Sequence, residues 1–282
     1  MTKKQRTICK SISFAGIGLH TGLQITMTVH PAAANHGYKF QRVDLPEKPI
    51  IDADVENVIG TKRGTTIEQH GAQVNTTEHI LAALYGCEVD NALIELTGSE
   101  IPIMDGSAIE FVEALEEVGY EVQDADRKYF KLTSNVWYED KEKDVEMLAV
   151  PEPQDEFRLT VMVDYRSPIL GTQHASMYKI SEFREEIARC RTFVFLREVQ
   201  QLANAGLIKG GNLDNAVVLI ERHYSDDELH EIAQLLGKDD LTTRGDVPGV
   251  LNTSPLRYQN EPARHKLLDI MGDLALMGCF LQ

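Results

Sequence analysis

The 282-residue chain predicts an α+β fold of two similar domains, 1–125 and 126–282, each a β-sheet layered on α-helices. Three observations predict it. The first part of the chain is a run of strand-like segments that gives way to helix, strand and helix. A polar, charged stretch, "EVQDADRK", then interrupts the pattern, and beyond it the same order returns. The length leaves room for two cores of ordinary size. No repeat can be counted residue by residue, so the duplication rests on pattern alone.

Taken in order, "TICKSISFAGIGLH", "LQITMTVHPA", "GYKFQRVDL" and "GTTIEQHGAQV" read as strands, rich in β-branched and aromatic residues and punctuated by Gly, Pro and Asn. "TTEHILAALYG" reads as a helix closed by Gly86, "NALIELTG" as a strand, and "SAIEFVEALEEVG" as a helix ending at Gly119. "EVQDADRK" is the linker candidate. Strands follow at "KYFKLTSNVWYED", "VEMLAV", "FRLTVMVDY" and "QHASMYKI", then the helix "SEFREEIARC" and the strand "NAVVLI". The segment from His223 to Glu261 is acidic and polar, holds a short helical pattern "SDDELHEIAQLLG", and reads as an insertion that carries no core. Pro262 then opens the final helix from its first turn.

Composition narrows the function. The 28 Lys and Arg against 44 Asp and Glu leave a net charge of −16, which excludes a general nucleic-acid binder, whose surface must neutralise phosphates. An anionic ligand therefore needs a local cationic cluster. The four cysteines, Cys9, Cys87, Cys190 and Cys279, contain no C-x-x-C pair and suggest reduced, buried thiols rather than a zinc knuckle or a disulfide framework. The N-terminus is basic but has no long apolar run, and no stretch is long and apolar enough for an integral membrane segment. The simplest expectation is a cytoplasmic protein.

The chemistry starts at "RHKLLDIMGD", residues 264–273. Its Leu267, Leu268, Ile270 and Met271 fall at helical spacing toward a core. On another side His265, Asp269 and Asp273 are each four residues apart and share one stripe. Two ligands on one helix make half a metal site, and a catalytic zinc centre needs a third ligand and an open position. "NTTEHILAAL" offers His79 in the first turn of a helix, with Glu78 one residue earlier and about 100° round the helix. That offset keeps Glu78 off the ligand position while leaving its carboxylate within reach of a water beside the ion. Blander readings stand beside this one. Glu78 is also placed as the third-position carboxylate of a capping box opened by Asn75, and the 265/269/273 stripe also reads as a solvated helix face. Two His and one Asp also describe the facial triad of non-haem iron oxygenases. The other histidines carry no ligand spacing.

Taken together, "GIGLHTG" (16–22), "TTEH" (76–79), "EIPIMDGSA" (100–108), "RTFVF" (191–195), the Gly pair 210–211 and "RHKLLDIMGDLALMG" (264–278) occur in the order of one known family. The chain resembles the UDP-3-O-acyl-N-acetylglucosamine deacetylases, the zinc amidases of lipid A synthesis known as LpxC. The resemblance spans nearly the whole chain. It implies helices packed between the two domains with the active site at their interface. It implies zinc on His79, His265 and Asp269, with ferrous iron able to use the same ligands, and Glu78 as general base. It further implies that Thr192 polarises the substrate carbonyl, that Lys266 contacts substrate and stabilises the developing oxyanion, and that Phe193 and Leu19 belong to the substrate site.

A diphosphate and a long acyl chain in the implied substrate call for a basic patch and an apolar channel. Lys266 with Arg191 and Arg189 is the candidate for the first; "LANAGLIKGG", with Leu207 and Ile208, is the candidate for the second. In the family the last of these helices is followed by a strand and a Gly-His loop that supplies a general acid, and neither is read within the 282 residues. The expectation is a truncated chain from an active parent, some family members continuing into a fused dehydratase domain. The alternative is a protein that binds zinc and nucleotide sugar with little turnover. In that alternative Asp273, which supports that histidine in the family, is left without its partner.

Overall fold

Two helices, one from each half of the chain, cross at the centre of the molecule, and the sheets are arranged around that crossing. The structure, a computed structural model, describes residues 3–235, 249–251 and 254–282. The first half begins with β1 (Lys4–Ile8), β2 (Ile12–Ile17), β3 (Gln24–Pro31), β4 (Tyr38–Arg42) and β5 (Ile50–Asp52). It continues through β6 (Val58–Gly60), β7 (Thr66–Gln69) and β8 (Ala72–Val74) to α1 (Glu78–Gly86), β9 (Ala92–Leu96), α2 (Ile109–Val118) and β10 (Tyr120–Asp126).

The main sheet has five strands in the order β2-β3-β9-β4-β5, with β4 and β9 parallel. Alternation in β3 turns Ile25, Met27 and Val29 inward, because successive side chains of a strand face opposite ways. Helix α1 is buried from Glu78 through Tyr85, as its nearly unbroken apolar sequence requires of a helix covered on all sides. Gly86 does not cap it. Cys87 does, and Gly86 is small because a Cβ there would stand 2.1 Å from the Phe183 ring. Gly119 does close α2, in a left-handed conformation at φ 74° that suits glycine.

The second half contains β11 (Tyr129–Phe130), β12 (Val136–Asp140), β13 (Val145–Ala149), β14 (Leu159–Asp164) and β15 (Thr172–Met177). After them come β16 (Phe193–Phe195), α3 (Leu196–Asn204), β17 (Val217–Ile220), α4 (Asp226–Leu235), β18 (Gly249–Val250), α5 (Glu261–Ala275) and β19 (Phe280–Leu281). These strands form small sheets: hairpins β12–β13 and β14–β15, the three-stranded β16-β17-β18, and the parallel pair β11–β19. Helix α5 begins with proline in its first turn and packs against α1, β14 and β15. Leu267, Leu268 and Met271 join one core with Leu81, Leu84, Phe111 and the sheet residues Met27 and Ile94. Ile270 is not in that core; it lines the cleft described below.

Several sequence expectations are corrected. "EVQDADRK" is not a spacer: its first six residues belong to β10, antiparallel to β1, and Arg127 of the same stretch is buried between Glu88 and Asp90. The polar alternation of β10 disguises it because little of that strand is covered. The helix expected at "SEFREEIARC" is instead a 3-10 turn, Ile180–Glu182, running into a wider π-type turn, Phe183–Ile187. "RTFVFLREVQQLAN" holds the unanticipated β16 and α3. The segment read as coreless decoration contains α4, whose Leu229, Ile232 and Ala233 pack with Leu196, Val199 and Ile220 in a second core; residues 236–248 and 252–253 of it lie outside the described residues. A strand, β19, follows α5 where none was expected. Among the described residues no helix is long and apolar enough to cross a membrane.

Candidate metal centre

Helix α1 presents Glu78 and His79 from its first turn, and α5 presents His265 and Asp269 one turn apart. The helices cross closely because Gly272 has no side chain: a Cβ there would lie 2.0 Å from the Glu78 carbonyl oxygen. The crossing brings ligand atoms of His79, His265 and Asp269 within 4.8 Å of one another. His265 Nε2 stands 3.2 Å from Asp269 Oδ1 and His79 Nε2 stands 3.9 Å from the same oxygen. The imidazole rings meet edge to face, 5.1 Å between centroids.

The protonation pattern of these groups fits a cation. His265 Nδ1 is 2.9 Å from the Cys190 carbonyl oxygen, and a carbonyl can only accept, so Nδ1 carries the proton. Burial pushes the His265 pKa down, so the ring is neutral and Nε2 holds a lone pair toward Asp269. Burial, with the nearby His265, also lowers His79, to about 3. Asp269 remains ionised: burial opposes this, but the Lys266 ammonium bonded to its Oδ2, together with any proton that reaches the neighbouring imidazoles, outweighs it and holds the carboxyl low. Its Oδ1 is buried with no hydrogen-bond partner among the described residues, as is His79 Nδ1. Two neutral imidazoles and a bare carboxylate oxygen leave an unfavourable gap for a proton-poor protein and a favourable one for a dication.

Around this centre, Lys266 Nζ binds Asp269 Oδ2 at 2.8 Å, and the Asp269 charge raises the lysine pKa. Glu78 Oε2 accepts the Thr65 amide hydrogen at 2.9 Å. Burial, then the charge of Asp269, pushes the Glu78 pKa up to about 8. The capping-box reading is not what the structure has: Thr77 is the N-cap residue without a side-chain cap bond, and Asn75 bonds Ser99 and Thr66 instead. Nor is the α5 stripe a solvated face throughout, since His265 is buried and Asp269 half-buried; only Asp273, at the rim, is exposed. Asp273 Oδ1 accepts the Thr65 hydroxyl.

A cleft of about 510 Å³ opens over these groups, lined also by Leu19, Arg63, Tyr165, Thr192, Phe193 and Glu198. Leu19 is set by the "GIGLHTG" loop, which wraps the fully buried Glu100: the amides of His20 and Thr21 and the hydroxyls of Thr21 and Thr76 all donate to it. Thr192 is fixed through its backbone, donating to Gly106 and accepting from Val217. The Phe193 ring lies 5.6 Å from Lys266 Nζ and 5.5 Å from the Tyr165 ring.

The basic patch is not built as the sequence suggests. Arg191 is buried, paired to Glu261 at 2.9 Å and bonded to Ser254 and Pro255, so it faces no ligand. Arg189 is exposed and does not line the cleft. Arg63, paired to Glu198 at 3.0 Å, lines it instead, and nothing in its local sequence marks it. The apolar channel is half as expected. Ile208 lines a narrow cavity of about 70 Å³ with Leu19, Phe193, Val199, Leu202 and Leu213, whereas Leu207 lines a separate neighbouring groove with Leu23, Lys62 and Lys209.

This architecture defines a class: a mixed α/β protein whose central helix pair carries a candidate two-histidine, one-aspartate centre in a cleft. Within that class the chain belongs to the LpxC family, described as UDP-3-O-acyl N-acetylglycosamine deacetylase, whose model matches residues 5–234 and 240–282. It is 46% identical over 275 residues to the bifunctional enzyme LpxC/FabZ of Chlorobaculum tepidum, covering 97% of this chain and 58% of that one. The bifunctional enzyme LpxC/FabZ of Bacteroides thetaiotaomicron is 45% identical over 275 residues, 98% of this chain and 59% of the relative. The UDP-3-O-acyl-N-acetylglucosamine deacetylase of Syntrophotalea carbinolica is 39% identical over 275 residues, 97% of this chain and 79% of the relative. The chain thus spans about three fifths of the length of the bifunctional relatives.

Proposed function

We propose that the chain hydrolyses the N-acetyl group of UDP-3-O-acyl-N-acetylglucosamine to acetate and the free amine, a step of lipid A biosynthesis, with zinc held by His79, His265 and Asp269. The observation that carries this reading is the convergence of those three side chains beside the buried carboxylate of Glu78; the names of the deacetylase relatives supply the substrate. When bound, zinc supplies Lewis acidity, polarising the acetamide carbonyl and acidifying water. Glu78 takes the proton of the attacking water as the new C–O bond forms, and holds it for the nitrogen as the C–N bond breaks. Lys266 and Thr192 stabilise the charge that builds on the carbonyl oxygen, each such donor contributing on the order of 3 kcal/mol. Phe193 and Leu19 offer apolar surface to the substrate. A nucleotide-sugar substrate supports the reading of a cytoplasmic protein.

The test is acetate release from the UDP-sugar by purified chain loaded with zinc or, anaerobically, with ferrous iron. Glu78→Gln should lower the rate by about 100- to 10,000-fold with metal content unchanged. Tight nucleotide-sugar binding with turnover no faster than that variant would overturn the enzymatic reading in favour of a binding protein.

A further inference from the structure

The candidate base is held from outside its own helix, by a residue that the sequence does not mark. Thr65 lies just before β7 and is buried, and each of its polar groups engages an element of the centre. Its amide N–H donates to Glu78 Oε2 at 2.9 Å. Its carbonyl oxygen accepts the amide and the hydroxyl of Thr77, the N-cap residue of α1, at 3.2 and 3.3 Å. Its hydroxyl donates to Asp273 Oδ1 on α5 at 2.5 Å. One residue therefore ties the start of α1, the Glu78 carboxylate and the last ligand-bearing helix into a single arrangement. Gly64 lies against it: a Cβ there would come within 3.2 Å of Glu78 Oε1, a tight contact that glycine avoids. Oε2 is the oxygen that Thr65 takes.

Resting on the deacetylase reading above, we propose that Thr65 is a positioning residue for the Glu78 carboxylate, directing Oε1 to the reacting water by binding Oε2 and anchoring itself to Asp273. The physical reason is geometric. A glutamate has three side-chain torsions, and a carboxylate free to rotate presents its oxygen in line for only part of the time. The amide of Thr65 removes that freedom, and the hydroxyl keeps the amide where α5 needs it. A displacement of the base by about 1 Å costs on the order of 100-fold in rate.

The experiment compares Thr65→Val, which keeps the amide and the shape but removes the hydroxyl anchor, with Thr65→Ser, which restores the anchor. Zinc-loaded Thr65→Val should lose about 10- to 100-fold in kcat with KM and zinc content near wild type, and Thr65→Ser should recover to within a few-fold. Crystal structures of the metal-free proteins should show Glu78 turned or spread over rotamers in Thr65→Val and in place in Thr65→Ser. Should Thr65→Val not fold, Thr65→Ala replaces it. A Thr65→Val enzyme with wild-type kcat, an equal loss in Thr65→Ser, or a loss that merely follows lost zinc overturns the proposal. If the wild-type chain releases no acetate the deacetylase reading falls separately, and an unmoved Glu78 in the Thr65→Val crystal structure still overturns the positioning role.

Discussion

Gly272 of α5 lies against the backbone of Glu78 so closely that a single added carbon would stand 2.0 Å from the Glu78 carbonyl oxygen. The candidate ligands of the two helices are brought together by this contact, since backbone cannot yield as a side-chain tip can. Gly272→Ala should force α1 and α5 apart and destabilise the fold by about 1–3 kcal/mol, as overpacking does. Zinc affinity should fall with it, because His79 rides on one helix and His265 and Asp269 on the other. Calorimetry of unfolding and of zinc binding reads both effects; an alanine variant with wild-type Tm and zinc affinity would contradict the arrangement.

Ligand binding to the folded state stabilises it in proportion to RT ln(1 + [L]/Kd). Zinc at 100 times its Kd should therefore raise stability by about 2.7 kcal/mol in the wild-type chain, and a chelator should reverse the gain. Asp269→Ala, which removes the oxygen shared by both imidazoles, should abolish the zinc-dependent rise in Tm. A rise equal to wild type in that variant would place the ion elsewhere.

Arg191 and Glu261 form a buried ion pair, 4% and 0% exposed at their side chains. Removing one partner strands the other charge, so Arg191→Met should cost about 3–5 kcal/mol of stability. The double variant Arg191→Met with Glu261→Gln should be less destabilised than the sum of the singles. Denaturant unfolding curves decide this, and strictly additive losses would count against the pairing.

Asp105 supplies a pH dependence. Burial raises its pKa, but hydrogen bonds from Ser107 and Arg257 outweigh that and hold the folded carboxyl below its usual value. A depressed folded pKa means that the unfolded chain binds more protons, so this stabilisation is complete above the unfolded value and is lost as pH falls through the folded one. The stability gap between wild type and Asp105→Asn should be constant near neutrality and shrink below about pH 4. A gap that widens on acidification would reverse the sign and refute the account.

Much of the site is legible in one dimension. His265 and Asp269 fall one turn apart on a helix whose apolar residues Leu267, Leu268 and Met271 do enter the core, and helical periodicity alone places them so. Glu78 and His79 stand where an apolar helical run begins, and family-wide motifs tie them to the α5 pair. By contrast, Thr65, Arg63, Tyr165 and Gly272 carry no local signal. Each matters through a neighbour remote in sequence: Thr65 through Asp273, Gly272 through Glu78, Tyr165 through Phe193. The same limit explains the errors. Arg191 looks like a free cation because its partner Glu261 is 70 residues away, and β10 looks like a linker because its hydrogen-bonded neighbour is at the opposite end of the first half.

The order of side chains along a helix or strand decides which of them share a face, and that much the sequence by itself determined: the α+β pattern, the apolar stripe of α5 and the candidate ligands it carries. How near one face comes to another was decided by the tertiary structure, through the absence of a side chain at Gly272, the wrapped carboxylate of Glu100 and the three-way bonding of Thr65. The reason is range. Torsional preference and periodicity act over a few residues, whereas hydrogen bonds and close packing act over a few ångströms, and only the folded chain converts one distance into the other.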